Sequence, residues 1–367
     1  MGRSVTFIGA ENIISPLGTT AEENYSKVLA GQSGIQEGRF LDRDGDLMPA
    51  STFPEKQSIH KLLKSCIEGS LAGLNREEFD NGRTLFILSS TKGDIEKLKD
   101  RDLPAASLQQ LADQMGELVG AGKSITVSQA CISGVLAMIM AHDLVVAGKY
   151  DSVLVAGSDL VSEFVHAGFH SLFAISGKPC RPYDKDRNGV SLGEAAASVV
   201  ISKNASTFKS EPLDFLGGTS SNDANHISGP SRTGEGLVRS VTKTLKNSGL
   251  TSADIDFINA HGTATTFNDE MESIAFDRME MNTTPLISLK GYFGHTLGAA
   301  GIIETAISLQ SLRTNSVPVN IGYTEEGTSK TLNIVTDTLE KPLKRFLKTA
   351  SGFGGCNASC IIQQHEL

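Results

Sequence analysis

Two long segments are apolar on nearly every helical face, and this feature constrains the fold more than any other. Segment 131–149 reads CISGVLAMIMAHDLVVAGK, and segment 296–312 reads TLGAAGIIETAISLQSL. A surface helix carries one apolar stripe, whereas a helix that is apolar all round is enclosed by other elements. Each segment also follows a β-rich run. We therefore predict a layered fold whose central layer consists of these two helices.

Short apolar runs rich in β-branched residues alternate with helical segments, which is typical of an α/β protein. The polar stretch 202–214 is the predicted seam between two halves. Both enclosed helices need cover that one half alone does not supply, so the halves are not predicted to be separable domains. The predicted strands read SVTFIGA, TLFILSS, SITVSQA, SVLVAGS and ASVVIS in the first half, and DFINA, PLISL, NIVTD and ASCIIQ in the second.

Composition argues against several classes of function. The chain has 367 residues, enough for a large core. Its 33 basic and 42 acidic residues give a net charge of −9, which argues against nucleic-acid binding. No apolar stretch approaches the roughly 20 residues that cross a bilayer, and the N-terminal sequence is too polar for a secretory signal. The five scattered cysteines lack a CxxC pair, so we expect no disulfide framework, no metal and a cytoplasmic location.

Cys131 is the first candidate for chemistry, because it lies between a predicted strand and the first enclosed helix. The positive end of a helix dipole stabilises a thiolate, so we expect the pKa of Cys131 to fall below about 8.5, the free value. Ser133 and Gly134 permit close backbone approach, and a strand-to-helix corner presents a side chain at a pocket mouth. The alternative is a buried structural cysteine, the commoner role of an isolated cysteine.

Two histidines occupy similar corners in the second half. His261 follows the strand DFINA and precedes a helix that carries Asp269 and Glu272. His295 lies between the strand PLISL and the second enclosed helix. Taken alone, each histidine is as often a residue of a turn or a helix cap as a catalytic residue. Together with Cys131, they predict one site assembled from separate segments.

Lys290 and the glycine-rich run 351–359 complete the candidates. Lys290 follows an apolar strand and is either a surface lysine or a buried one that needs a carboxylate such as Glu304. The run SGFGGCNAS does not fit GxGxxG, and no Walker motif occurs, so a nucleotide cofactor is not indicated. Its glycines favour backbone amides that face a ligand, with Phe353 as a movable apolar cover.

Together these motifs resemble the elongating β-ketoacyl-[acyl-carrier-protein] synthases of the thiolase-like superfamily. The resemblance implies a five-layered αβαβα fold built from two similar halves. Residues 1–205 would carry the nucleophile, and residues 206–367 the two histidines. The resemblance covers most of the chain. It rests on the motifs VTFIGAENIISPLG, SQACISG, CRPYDKDRNGVSLGEAAASVVIS, NDANHISGPSRTGEG, NAHGTATTFNDEMES, SLKGYFGHTLGAAGIIE and GFGGCNAS.

The resemblance also implies a role for each candidate. Cys131 would accept the acyl chain as the nucleophile. His261 and His295 would bind the malonyl thioester carbonyl and favour loss of carbon dioxide. The further matches are Lys290 as the active-site lysine, Glu304 as the carboxylate in the helix that follows it, Phe353 as the gate, the main-chain amides of Cys131 and Phe353 as the oxyanion hole, and Thr263 and Thr265 as contacts to the pantetheine arm.

The implied reaction is a decarboxylative Claisen condensation of malonyl-carrier protein with an acyl thioester on the enzyme. It gives a 3-oxoacyl-carrier protein in fatty-acid or polyketide elongation, and the enzyme is an acyltransferase that needs no cofactor. The expected partners are an acyl carrier protein and a second subunit, in a homodimer or a heterodimer. An acidic carrier requires a local basic patch on this acidic chain, and Lys61 and Lys64 are the predicted patch.

The sequence departs from the family pattern in ways that leave every catalytic group in place. The chain is shortened between TLFILSS and SQAC, where SSTKGD replaces a glycine-rich gate loop. Thr266, Ser351 and Cys356 replace a proline, an aromatic residue and a threonine, which suits a specialised synthase. Two alternatives stay open at this point. A chain-length-factor-like partner subunit would lack the cysteine, and a Cys–His thioester hydrolase would not explain the second histidine or Lys290.

Overall fold

Strands and helices alternate along the computed structural model, which describes residues 5–41, 45–79, 82–223 and 229–365. The strands are β1 (Thr6–Ile14), β2 (Gln36–Leu41), β3 (Leu47–Ser51), β4 (Thr84–Ser89), β5 (Lys123–Val127), β6 (Ser152–Asp159), β7 (Leu192–Gly193), β8 (Ala195–Ser202), β9 (Leu213–Asn222), β10 (Phe257–Asn259), β11 (Leu286–Ile287), β12 (Ser316–Val317), β13 (Leu339–Glu340), β14 (Arg345–Gly352) and β15 (Cys356–Gln363). The helices are α1 (Ala21–Leu29), α2 (Ile59–Ala72), α3 (Arg76–Phe79), α4 (Leu108–Val119), α5 (Ser133–Val146), α6 (Glu163–Ser171), α7 (Glu235–Asn247), α8 (Thr266–Arg278), α9 (Lys290–Phe293) and α10 (Ala300–Thr314).

The main sheet repeats one strand order twice. Its ten strands run β11-β10-β14-β15-β9-β1-β8-β6-β4-β5. The five strands of each half can be numbered by their order along the chain. Read from the outer edge of the sheet to its centre, both halves then have the strand order third, second, fourth, fifth, first. The two first strands, β1 and β9, pair antiparallel with each other and join the halves. The polypeptide crosses between the halves at residues 203–212, inside the predicted seam.

The helices and the sheet form five layers. Helices α5 and α10 lie in the middle and share the largest buried apolar cluster with both halves of the sheet. Helices α2 and α4 cover the outer face of the first half, where Ile67 and Leu111 are buried. Helices α7 and α8 cover the outer face of the second half, where Val241 and Phe276 are buried.

The two central helices approach each other closely where both carry glycine. A Cβ atom at Gly134 would lie 3.2 Å from the Cα of Gly301, and one at Gly301 would lie 2.7 Å from the amide nitrogen of Val135. The glycines therefore allow the helix backbones to touch near their N-terminal ends. Cys131 and His295 precede these ends, so the crossing brings their two chain segments together.

The two predicted central helices differ in how fully they are enclosed. Residues Ala300–Leu312 of α10 are all buried, as expected. The prediction for 131–149 is wrong at its end, because α5 stops at Val146 and its last turn reaches solvent at Asp143. Eight of the nine predicted strands occur, whereas NIVTD forms only an isolated bridge between Ile334 and Leu286. Strands β9 and β14 were missed because glycine, serine and threonine interrupt their apolar pattern.

Candidate active site

Cys131 lies at a sharp turn between β5 and α5. The residue before it, Ala130, has a φ of +44°, which non-glycine residues rarely adopt. Ser133 stabilises the turn, because its Oγ accepts a hydrogen bond from the Gln129 amide (2.7 Å) and donates one to the Ala130 carbonyl (2.6 Å). Strained strand-to-helix turns of this kind are typical of positions that present a nucleophile.

The structure brings Cys131, His261 and His295 together. His295 Nε2 lies 2.9 Å from Cys131 Sγ. The two imidazole centroids are 5.5 Å apart, with ring planes at 81°. The Cys131 sulfur and one ring nitrogen of each histidine lie within 4.8 Å of one another. Three strand-to-helix corners that are distant in sequence thus meet at one point, and all three side chains are buried.

The protonation state of this group differs from the prediction. Burial raises the pKa of Cys131 to about 12, although the positive charge of Lys290 opposes the rise. The predicted lowering of this pKa is therefore wrong for the resting protein, because the cost of desolvating a thiolate outweighs the helix dipole. Burial, followed by the charge of Lys290, holds the pKa of His261 and of His295 well below 6.5. The resting site thus contains a neutral thiol beside two neutral imidazoles.

Two buried carboxylates of α8 hold the turn that carries His261. Glu272 accepts hydrogen bonds from the amides of His261 (2.9 Å) and Gly262 (2.7 Å), and Asp269 accepts one from Thr263 (3.0 Å). Burial raises the pKa of Asp269 to about 7 and also raises the pKa of Glu272. These carboxylates orient the histidine through the backbone.

Lys290 is fully buried, so the surface alternative is wrong. Its Nζ donates to the carbonyl of His261 (3.1 Å) and forms an ion pair with Glu304. The other oxygen of Glu304 lies 2.6 Å from Nζ of a second buried lysine, Lys348. Two ammonium groups therefore share one carboxylate beside the strand that leads to His261.

A cavity of about 510 Å³ opens onto this group. Cys131, both histidines, Thr263 and Thr265 contribute to its lining. The hydroxyl oxygens of Thr263 and Thr265 are 2.8 Å apart. The rest of the wall is largely apolar, which suits a flexible acyl chain or carrier arm more than a highly charged ligand. Its aromatic and larger aliphatic members are Phe169, Leu172, Phe173, Val190, Phe267 and Phe353.

Phe353 is a partly exposed part of this wall, with 36% of the residue accessible to solvent. Its ring centroid lies 5.7 Å from that of Phe169, whose ring lies edge-on to His295 at 6.2 Å. The preceding residue, Gly352, runs beside Cys131, because a Cβ atom there would lie 3.2 Å from the Cys131 amide nitrogen. The glycine-rich run therefore passes directly beside the candidate nucleophile.

The segment SSTKGD after β4 is held by Asp159, which the sequence analysis did not single out. Asp159 accepts hydrogen bonds from the amides of Thr91 (3.0 Å) and Lys92 (3.1 Å), and from the amide of Gly298 beside α10 (2.7 Å). Phe169 and Lys348 were also missed. The sequence features that could have indicated them are the aromatic residue in AGFHSLF for Phe169 and the lysine inside the apolar run RFLKTA for Lys348.

The predicted carrier patch does not line the cavity around Cys131. Lys61 and Lys64 are exposed on α2, and Lys64 lies 3.9 Å from Glu68. Lys61 lines a separate groove of about 770 Å³, together with Glu11 and Arg313. Among the residues that the structure describes, no helix is both long and apolar enough to cross a membrane.

Comparison with solved structures identifies the class of fold. A ketosynthase in complex with its chain length factor, from Xenorhabdus doucetiae, superposes with a TM-score of 0.89 at 24% identity, over 99% of this chain and 98% of that one. A β-ketoacyl synthase from Burkholderia phymatum STM815 gives a TM-score of 0.86 at 22% identity, over the full length of both chains. These likenesses confirm the thiolase-like α/β fold.

Sequence comparison identifies the family. The β-ketoacyl synthase N-terminal domain matches residues 117–206, and the C-terminal domain matches residues 215–324. A 3-oxoacyl-[acyl-carrier-protein] synthase 2 from Rhizobium meliloti (strain 1021) is 33% identical over 66% of this chain and 61% of its own length. A synthase of the same name from Vibrio cholerae serotype O1 is 27% identical over 99% of this chain and 100% of its own. The chain belongs to the β-ketoacyl synthase family, and it is an acyltransferase that catalyses ketoacyl condensation.

Proposed function

We propose that the protein condenses malonyl-carrier protein with an acyl group held on Cys131, releasing carbon dioxide and a 3-oxoacyl-carrier protein. The observation that carries this proposal is the meeting of one thiol and two neutral imidazoles at the base of an apolar cavity. Catalytic roles are proposed for Cys131, His261, His295 and Lys290. Lys290 acts through its contact with the His261 carbonyl.

In the first half-reaction, Cys131 attacks the acyl thioester of the carrier protein. His295 Nε2, 2.9 Å from the sulfur, accepts the thiol proton as the carbon–sulfur bond forms. A proton then passes to the departing thiolate of the carrier arm. Since the pKa of Cys131 is raised by burial, we expect thiolate formation to be coupled to attack, so that no free thiolate accumulates.

In the second half-reaction, the malonyl thioester loses its carboxylate as carbon dioxide, and the electron pair of the broken bond forms an enolate. Neutral His261 and His295 donate N–H hydrogen bonds to the enolate oxygen, which carries the developing charge. The enolate carbon attacks the acyl carbonyl, and the bond to Cys131 breaks. The released thiolate takes up one proton from solvent, which balances the reaction.

The remaining candidates are assigned to substrate binding. The amides of Cys131 and Phe353 form the oxyanion hole in this proposal, supported by the close passage of Gly352. Phe353 covers the acyl pocket, and Thr263 and Thr265 bind the carrier arm. Glu304, Asp269 and Glu272 keep the lysine and the His261 turn in place.

The partner of the reaction is an acyl carrier protein, for which Lys61 and Lys64 are the proposed docking patch. We also propose a dimer, either of two copies or with a related subunit. In the described part of the chain, β5 pairs with β4 on one edge only, which leaves main-chain groups available for another strand. The boundary between the halves, 1–205 and 206–367, is proposed on the repeated strand order, and the cytoplasm is the proposed location.

The test supplies malonyl-carrier protein and a series of acyl-carrier proteins, and follows carbon dioxide release and product mass. The wild-type protein should form 3-oxoacyl products. The Cys131→Gln variant should lose condensation and keep measurable decarboxylation, because both histidines remain. Thioester cleavage without carbon dioxide release would instead identify a hydrolase, and inactivity without an added related subunit would favour a partner-subunit role.

A further inference from the structure

Lys348, in the middle of β14, is buried with 0% of its surface exposed. Its Nζ lies 2.6 Å from Glu304 Oε2, and it donates to the carbonyls of Asn259 and Ala260, both at 3.2 Å. Asn259 and Ala260 are the two residues immediately before His261. The ammonium group of Lys348 therefore contacts both the chain segment that leads to His261 and a carboxylate of α10.

Lys348 and Lys290 together hold three consecutive carbonyls. Lys348 binds those of Asn259 and Ala260, and Lys290 binds that of His261. Glu304 joins the two ammonium groups, with one oxygen paired to each. A carbonyl array held in this way fixes the direction in which the strand leaves the sheet, and hence the position of the imidazole.

Lys348 is one of two cations that share the buried carboxylate of Glu304. Loss of its charge therefore leaves Glu304 paired with Lys290 alone in a desolvated region. Burial, then Lys290, holds the pKa of both catalytic histidines down, and the charge of Lys348 acts in the same direction. Burial lowers the pKa of Lys348, and the charge of Glu304 opposes this effect. The titratable groups around it are Glu304, Glu272, Asp269, Lys290 and Arg187, together with the neutral thiol of Cys360.

We infer that Lys348 is a positioning residue for the condensation: it fixes the strand end before His261 and supplies a second buried positive charge to the site. This inference rests on the proposed function. The positive charge helps to keep the imidazoles neutral, so that His295 remains able to accept the thiol proton of Cys131. It also stabilises the negative charge that develops during decarboxylation.

The test compares Lys348→Met with Lys348→Gln, each in the intact 367-residue chain, with carbon dioxide release measured from pH 5 to 9. Both variants lose the charge, and only Gln keeps polar contacts to the carbonyls. We expect kcat to fall by about 10- to 100-fold, by analogy with the loss of groups that orient a metal-binding histidine. The KM for malonyl-carrier protein should change little, and the acidic limb of the pH profile should move to higher pH.

A charge-restoring variant separates this role from simple loss of folding. Lys348→Met combined with Glu304→Gln removes one positive and one negative charge, so the pH profile should return toward that of the wild type. Glu11→Gln is the matched control, because it breaks the partly buried ion pair with Arg313 at the other end of α10. It should lower the unfolding temperature and leave the pH profile unchanged.

The outcomes separate the inference from the function beneath it. A wild-type rate and pH profile in both Lys348 variants would overturn the inference and leave condensation by the wild type intact. Lys348 variants that are slow but keep the wild-type pH profile, and whose rate the Glu304→Gln change does not restore, would also overturn the inference. A wild-type protein that neither releases carbon dioxide nor condenses would overturn the proposed function, and the inference with it.

Discussion

The two halves of the molecule use the same strand order but make different use of equivalent corners. After the second strand of the first half, β4, buried Asp159 holds the amides of Thr91 and Lys92. After the second strand of the second half, β10, Glu272 holds the amides of His261 and Gly262. Both corners are thus fixed by a buried carboxylate that accepts loop amides, and only the second presents an imidazole.

The corners after the third strand of each half are also equivalent. The corner after β5 presents Cys131, and the corner after β11 leads to His295, 2.9 Å away. The repeated fold therefore supplies four corners, two from each half. Three of these corners carry a group that can react, namely Cys131, His261 and His295. The comparison teaches that the fold determines where a functional group can lie, whereas the side chain placed there determines the chemistry.

The largest expected effect comes from removing the imidazole at one corner. His261→Ala should lower the rate of decarboxylation by about 10²- to 10³-fold, the cost of losing one oxyanion donor. Alkylation of Cys131 by iodoacetamide should persist, because His295 remains beside the sulfur.

The matched variant at the equivalent corner of the first half is Ser90→Ala, which removes the hydrogen bond that Ser90 donates to Asp159 and the one that it accepts from the Gly93 amide. It should cost about 1–3 kcal/mol of unfolding free energy and leave the rate within a few-fold of wild type. A rate loss as large as that of His261→Ala would show that the first-half corner also takes part in catalysis. Decarboxylation and urea unfolding measured on both variants decide this.

The next effect concerns the crossing of the two central helices. Gly301→Ala would place a Cβ atom 2.7 Å from a backbone nitrogen, so we expect a loss of about 1–3 kcal/mol and a reduced rate of acyl transfer. Gly134→Ala, whose contacts are slightly longer, should cost less. Gly168→Ala, in α6 and with open space around the new Cβ, serves as the control and should be neutral or stabilising. Equal stability of all three variants would contradict the close crossing.

The pH dependence tests whether the paired imidazoles are neutral. Their pKa values are lowered by burial, so the neutral form persists as the pH falls through 6.5. Decarboxylation by the Cys131→Gln variant should therefore keep its rate from about pH 8 through about 6.5, the ordinary histidine pKa. The rate should decline only at lower pH, where the imidazoles bind protons. An acidic limb centred near 6.5 would instead indicate that water reaches both rings.

The smallest expected effect is at the predicted carrier patch. Reversing the charge of Lys61 and Lys64 together should raise the KM for carrier protein several-fold, since steering charges act mainly on association. Acylation by a small thioester should not change. Equal effects on both substrates would contradict docking at α2. Lys97→Glu with Lys99→Glu offers a second lysine pair at the surface for comparison.

The layered fold and the main members of the site were predictable because their signals are local. Enclosed helices are apolar all round, and Cys131, His261 and His295 each lie at a strand-to-helix corner. The resemblance to the family then placed these corners around one site. What stayed hidden depended on neighbours distant in sequence. The pKa of Cys131 follows from burial that no local motif encodes, and Lys348 needs Glu304 from another element to be stable inside.

The pairing of β1 with β9 also limits how the protein can move. Thr6 lies opposite Phe215, and Ile8 opposite Leu213, so main-chain hydrogen bonds tie the two halves into a continuous sheet. A hinge between the halves would have to break these bonds. We therefore expect substrates to be admitted by small displacements of side chains or loops at the cavity mouth. The proposed role of Phe353 as a cover predicts that an inhibitor that wedges this ring in place would block turnover without any rearrangement of the scaffold.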